Sequence, residues 1–173
     1  IEELSRRSLA VSVPYIMAAC YAGMNLVEFG SEEQKRELLP RVAQGTLMFA
    51  YGLTEPDVGA DLASVKTRAQ RVGDRVVVNG AKRFCSGAGI CDYIFTLVRS
   101  GDEQDRYRNL SVVLIAPDAP GVSITPINSM GMKGAATTDV TFDNAEIPAS
   151  QIFGGDAGWH QGWNMLIRSG LDV

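Results

Sequence analysis

The sequence has 173 residues, 46% of them apolar and 21% charged. This balance excludes a disordered tail, a collagen or a coiled coil, and fits one domain of roughly 100–200 residues or a piece of a larger protein. A net charge of −4 argues against nucleic acid held by the bulk field, and no run approaches the ~18 uninterrupted apolar residues of a membrane span.

The first 45 residues read as helix. Ile16, Met17, Ala19, Cys20, Met24 and Val27 follow helical spacing, and Gly30 is a natural stop. Ser31 and Gln34 form a capping box that opens a second helix bearing Leu38, Leu39 and Val42, in which Pro40 is expected to cause a break and Gly45 the end. After Thr46 the period becomes alternating. Val76 with Val78, Val122 with Ile124, and Val140 with Phe142 predict half-buried strands, while the continuous apolar runs 93–98 and 111–116 predict central ones. Gly73-Asp74 and Asn79-Gly80 suit tight hairpins, Asp118-Ala119-Pro120-Gly121 a longer turn, and 100–109 an exposed charged loop. Residues 159–171 return to helical character through Trp163, Leu166 and Ile167. The fold class expected is α+β: N-terminal helices, an antiparallel β-barrel-like middle domain and the start of another helix.

Cys20, Cys85 and Cys91 have no paired zinc spacing, and His160 is the only histidine, which is poor material for a metal site or a nucleophile–base pair. Reduced thiols in a cytoplasmic protein are expected. The opening residues 1–7 lack both an initiator Met and an export pattern, so a start inside a longer protein is expected too. Nine Lys/Arg against five Asp/Glu between 66 and 108 leave the middle basic, whether as a solvated face or as a seat for a phosphate-bearing ligand.

Two stretches offer chemistry. Residues 53–64 carry the hydroxyl of Thr54, a glycine at 59 that permits close backbone approach, and Glu55, Asp57 and Asp61, which read equally well as caps of neighbouring elements. Phe84-Cys85-Ser86-Gly87-Ala88-Gly89 sets an aromatic ring and a hydroxyl beside flexible glycines; a core Phe before a turn is its plainer reading. Neither stretch matches a dinucleotide fingerprint or a P-loop.

Taken in order, five segments resemble the acyl-CoA dehydrogenase family over nearly the whole chain. They are Gly30-Ser31-Glu32-Glu33-Gln34-Lys35 with Leu39-Pro40; Tyr51-Gly52-Leu53-Thr54-Glu55-Pro56-Asp57-Val58-Gly59-Ala60-Asp61; Val78-Asn79-Gly80-Ala81-Lys82 with Phe84-Cys85-Ser86; Pro120-Gly121-Val122 with Gly131-Met132-Lys133-Gly134; and Phe142-Asp143-Asn144-Ala145-Glu146-Ile147-Pro148. The resemblance implies the end of an N-terminal helical domain at 1–46, a middle β-domain at 47–153 and the start of a C-terminal helical domain at 154–173. It implies FAD as cofactor and an acyl-CoA substrate dehydrogenated to a trans-2-enoyl-CoA, with electrons passed to an electron-transferring flavoprotein. Homo- or hetero-oligomers, usually tetramers, are implied as well.

Its cofactor-binding residues would be Tyr51, Leu53, Thr54, Gly59, Ala60, Phe84, Cys85 and Ser86, with Phe84 flanking the flavin and Ser86 bonding near its N5. Ala60 and Asp172 would approach the substrate. The catalytic Glu would come from a helical domain outside this chain, so no residue here is assigned that role. Ala60 and Ala135 stand where the family commonly has Ser, and Phe84 and Ser86 where it commonly has Trp and Thr. An oxidase or flavin monooxygenase of the same fold, and a non-catalytic partner subunit, are the alternative readings.

Overall fold

The computed structural model describes residues 1–102 and 104–168. Its helical part begins with α1 (Glu2–Arg7), followed by one continuous helix, Leu9–Phe29, made of α2 (Leu9–Tyr15), a π-helical stretch Ile16–Gly23 and α3 (Met24–Phe29). The widening to π register follows Pro14, which has no N–H to give the preceding turn. Gly30 ends α3 as expected. By length and mean hydropathy, 21 residues and 1.4, the continuous helix has the dimensions of a membrane-crossing one, although no uninterrupted apolar run predicts it. One such helix is weak evidence for a membrane, and here Ala22 and Leu26 are fully buried against the sheet.

Helix α4 (Glu32–Ala43) opens on the expected capping box: Gln34 N donates to Ser31 Oγ at 3.2 Å, and Ser31 N to Gln34 Oε1 at 3.2 Å. Pro40 does not break it. So close to the C-terminus the missing N–H costs one intrahelical bond, and the helix runs on to Ala43 before Gly45 turns the chain at φ +70°.

Gln34 also joins the helices to the β-domain. Its Nε2 donates to the carbonyls of Ser150 (3.0 Å) and Ile152 (2.8 Å), while Oε1 accepts from Gly154 N at 2.9 Å. Gln34→Ala removes the side-chain half of the capping box, leaving the Ser31 cap in place, and leaves these buried backbone groups without their partner, so a loss of about 2–3 kcal/mol is expected, measured as a lower urea midpoint at unchanged slope.

Seven strands form one curled sheet: β1 (Phe49–Gly52), β2 (Arg68–Val72), β3 (Arg75–Ser86), β4 (Tyr93–Arg99), β5 (Leu110–Ile115), β6 (Val122–Pro126) and β7 (Thr137–Pro148). Antiparallel pairing dominates, through β2–β3, β3–β7, β7–β6 and β4–β5. The parallel pairs both involve β4: β1 runs beside it with Phe49 opposite Tyr93 and Gly52 opposite Thr96, and β2 meets it at a single residue pair. The sheet is therefore mixed, because β1 enters from the helices alongside β4 and not from a hairpin. Between β2 and β4 only Arg68 pairs with Arg99, so the sheet bends there.

Strand β4 is buried from Ile94 to Arg99, and largely apolar, because both its faces are covered. Phe95 and Leu97 meet the helices, while Ile94 and Val98 face Val76, Val78 and Val140 inside the curl. Tyr51, Phe95 and Phe153 stack in series, with ring centroids 4.9 and 5.0 Å apart.

Gly73-Asp74 makes the β2–β3 hairpin and residues 116–121 the β5–β6 turn, as expected. Asn79-Gly80 makes no hairpin. It lies inside β3 at a register shift opposite β7, where Gly80 adopts φ +143° and backs onto Thr67. The last described helix, α5, covers Gly162–Arg168. Cys20, Cys85 and Cys91 are free thiols.

Candidate functional site

Beyond Gly52 the chain leaves β1 for the irregular segment 53–61, which is pinned to β3. Arg83 N donates to the Thr54 carbonyl at 2.8 Å, and Lys82 Nζ to the Leu53 carbonyl at 3.0 Å. Glu55 closes a small turn with Val58, N–H to carbonyl in both directions at 2.8 and 3.2 Å. Its carboxylate accepts from Lys82 Nζ (2.9 Å) and Thr67 N (2.8 Å) at Oε1, and from Lys66 N (2.7 Å) at Oε2. Burial by itself would raise this carboxyl, but the Lys82 charge and the N–H donors outweigh it and hold Glu55 below its ordinary value. Burial dominates at Lys82, and despite Glu55 it brings the ammonium down to about 8.

The far end of β3 forms the other wall. A second register shift between Lys82 and Cys85 turns Phe84 out: it sits at φ +61° and 58% exposure, with the Arg83 guanidinium 5.3 Å from the ring centroid. A non-glycine residue in that region costs about 1–3 kcal/mol of backbone strain and tends to mark a functional position. Ser86 Oγ lies 3.2 Å from Thr137 Oγ1 on β7, and Gly87 N donates to the Ala136 carbonyl at 3.1 Å.

The expected site residues divide by where their side chains point. Leu53, Thr54 and Ser86 are half-buried, Gly59, Ala60 and Phe84 are exposed, and no neighbouring atom stands where a Cβ on Gly59 or Gly87 would reach. Two do not offer side chains to a ligand. The Tyr51 ring is taken up by Phe95 and by Tyr21 (5.9 Å), with its buried hydroxyl unbonded among the described residues and pushed upward by burial, so only its backbone is available. Likewise the Cys85 thiol is fully buried in the core and raised by burial to about 12; only its carbonyl is engaged, by Thr138 Oγ1 at 2.8 Å. Asp172 lies outside the described residues. Ala135, buried, and Ala60 bring no hydroxyl.

An exposed ring, two hydroxyls, a backbone edge pinned from behind and open glycine positions suit a planar, hydrogen-bonding conjugated ligand such as a flavin. No group of three His, Cys, Asp or Glu among the described residues is placed to hold a metal ion.

Two features escaped the sequence reading. One is the Lys82–Glu55 pair, whose signal was a lysine on the inward side of an otherwise apolar-inward strand. The other is a ring at the edge of the sheet, in which Ser111 Oγ donates to Ser100 Oγ (2.7 Å), Ser100 Oγ lies 2.9 Å from His160 Nδ1, and His160 N returns to Ser111 Oγ (2.8 Å). No periodicity signals contacts between such distant positions.

Comparison with known proteins places this geometry. Residues 1–46 match the family model "Acyl-CoA dehydrogenase, N-terminal domain", and residues 50–145 match "Acyl-CoA dehydrogenase, middle domain". Acyl-CoA dehydrogenase AFT10-1 of Alternaria alternata is 38% identical over 144 residues, which are 83% of this chain and 32% of that protein. The chain thus spans about a third of that relative's length. The acyl-CoA dehydrogenase of Geobacillus kaustophilus superposes with a TM-score of 0.88 at 27% identity, over 97% of this chain and 44% of that one. A chain of the ChsE4-ChsE5 complex from Mycobacterium tuberculosis gives 0.80 at 32%, over 90% and 39%. With both family models matched in order along a fold shared with solved members, the chain belongs to the acyl-CoA dehydrogenase family.

Proposed function

We propose that this chain forms part of the FAD site of an enzyme that dehydrogenates an acyl-CoA thioester between Cα and Cβ, giving a trans-2-enoyl-CoA. The observation that carries the reading is the meeting of two segments, 53–61 and 82–86, through the bonds from Arg83 N and Lys82 Nζ to consecutive carbonyls. Bound there, the flavin would supply the hydride acceptor, its N5 atom.

The chain's own residues would bind and orient. Leu53 and Thr54 would meet the flavin's pyrimidine edge through backbone groups and the Thr54 hydroxyl, with Gly59 and Ala60 admitting the ligand closely. Phe84 would lie against the ring, and Ser86 would donate near N5, stabilising charge on the reduced ring. Ala60 and Asp172 would approach the substrate. Among the described residues, the carboxylates of segment 53–61 already have partners: Glu55 is bonded through both oxygens, Asp61 is held by Arg106 and Ser64, and Asp57 faces solvent 3.9 Å from Lys66. That base is assigned to a Glu outside this chain. We assign residues 1–46 to the N-terminal helical domain, 47–153 to the β-domain and 154–173 to the start of the C-terminal one. Free thiols accord with a reducing compartment such as the cytoplasm, and the electron acceptor proposed is an electron-transferring flavoprotein.

A second reading, a non-catalytic subunit in a hetero-oligomer, is favoured by the missing hydroxyls at Ala60 and Ala135 and by the likeness to a chain of a two-component complex. The anaerobic visible spectrum of the intact protein separates the two. Oxidised-flavin bands that bleach when acyl-CoA thioesters are added are the expected result, and a colourless protein that acquires flavin only with a second chain supports the subunit reading.

A further inference from the structure

We propose that Lys82, held by Glu55, is the positioning residue of the flavin loop: from inside the sheet its ammonium fixes the Leu53 carbonyl and so aims the Thr54 N–H at the cofactor. This rests on the FAD reading above. The Lys82 side chain is completely buried, and its ammonium bonds two groups, the Leu53 carbonyl at 3.0 Å and Glu55 Oε1 at 2.9 Å.

A buried ion pair adds little stability over apolar side chains of the same volume, so stability alone does not account for a lysine here. Geometry does. In a planar trans peptide unit the C=O and the following N–H point in opposite directions. Turning the Leu53 carbonyl inward therefore turns the Thr54 N–H outward, away from the sheet. The next carbonyl, that of Thr54, is held by Arg83 N at 2.8 Å, so consecutive residues of β3 fix consecutive peptide units of the loop. Glu55 in turn is immobilised by the N–H groups of Lys66 and Thr67, which stops the ammonium from swinging away.

The titratable groups acting on Lys82 are Glu55, from the loop after β1, and Cys85, from β3 itself. Cys85, raised to about 12, stays a neutral thiol through the working range, and Glu55 stays ionised, so Lys82 is the group of this cluster that titrates, near 8.

The test is FAD affinity of the intact protein, stripped of flavin and retitrated by quenching of FAD fluorescence across about pH 7 to 9. In the wild type the dissociation constant is expected to rise as Lys82 loses its proton and its grip on the Leu53 carbonyl weakens. In Lys82→Met/Glu55→Gln, which leaves no lone buried charge, it is expected to be at least about tenfold weaker than wild type at neutral pH, and flat with pH. A double variant that folds and binds FAD as the wild type does overturns the proposal, and so does a flat wild-type profile, a readout that needs no variant. A wild type that takes up no FAD at all overturns the flavin reading instead, and the two failures are told apart by that control.

Discussion

Lys82→Met alone is expected to destabilise the protein by about 3–5 kcal/mol, the typical cost of leaving half of a buried ion pair behind. The Glu55 carboxylate, 5% exposed, would keep its bonds from Lys66 N and Thr67 N but lose its counter-charge. Adding Glu55→Gln is expected to recover part of the loss. The charge disappears and the amide oxygen still accepts one N–H, so what remains is the second N–H and the Leu53 carbonyl that Met cannot bond, together about 1–3 kcal/mol.

The pH dependence follows from the same pair. Glu55 is held below its ordinary value, so the stability it contributes is present at neutral pH and is lost as pH falls through the carboxylate range. Lys82 is shifted from 10.5 to about 8, so from about 8 up to about 9, below the range where the unfolded thiols of Cys85 and Cys91 ionise, the unfolded chain binds more protons at this position than the folded one and stability rises with pH. Urea unfolding of the wild type should show both slopes. The double variant should show a shallower acid slope and lose the rise between about 8 and 9, and a single variant no less stable than the double would contradict the account.

This pair also marks where the sequence stops being readable. The helices, the capping box at Ser31, the buried strands β4 and β5 and the turn at 118–121 announce themselves through local spacing and turn chemistry, because each is decided within a few residues. The candidate site was legible as two stretches, 53–64 and 84–89, but not the reason they stand side by side. That depends on Lys82 crossing the strand interior to a carbonyl 29 positions earlier, and a lysine in an alternating strand ordinarily reads as solvent-facing. Tyr51 shows the complementary failure. Its place in the signature segment implies a contact through backbone or hydroxyl, and the parity of β1, which turns the side chain toward Phe95 and the helices, leaves only the backbone for it.

Gly80→Ala is the second large effect, expected to cost about 2–6 kcal/mol from two additive causes. At φ +143° the backbone occupies a region open essentially to glycine, which costs an L-residue about 1–3 kcal/mol. A Cβ there would also sit 2.7 Å from the Thr67 Cα, a backbone atom that cannot rotate aside, and overpacking of this kind adds about 1–3 kcal/mol. Asn-Gly between apolar alternations is a strong hairpin signal, yet here the glycine serves a bulge: between Val78 and Gly80 the register against β7 shifts, and Lys82 follows on the inward side. Displacing Thr67 would strain the N–H that Glu55 accepts, so the damage should travel along Thr67, Glu55 and Lys82 to the Leu53 carbonyl. Gly80→Ala is therefore expected to lower both the unfolding midpoint and FAD affinity. An alanine in the exposed hairpin at Gly73, also at positive φ but with open space around it, should cost only its backbone strain and leave flavin binding untouched. Equal losses of affinity at the two positions would contradict transmission through Thr67.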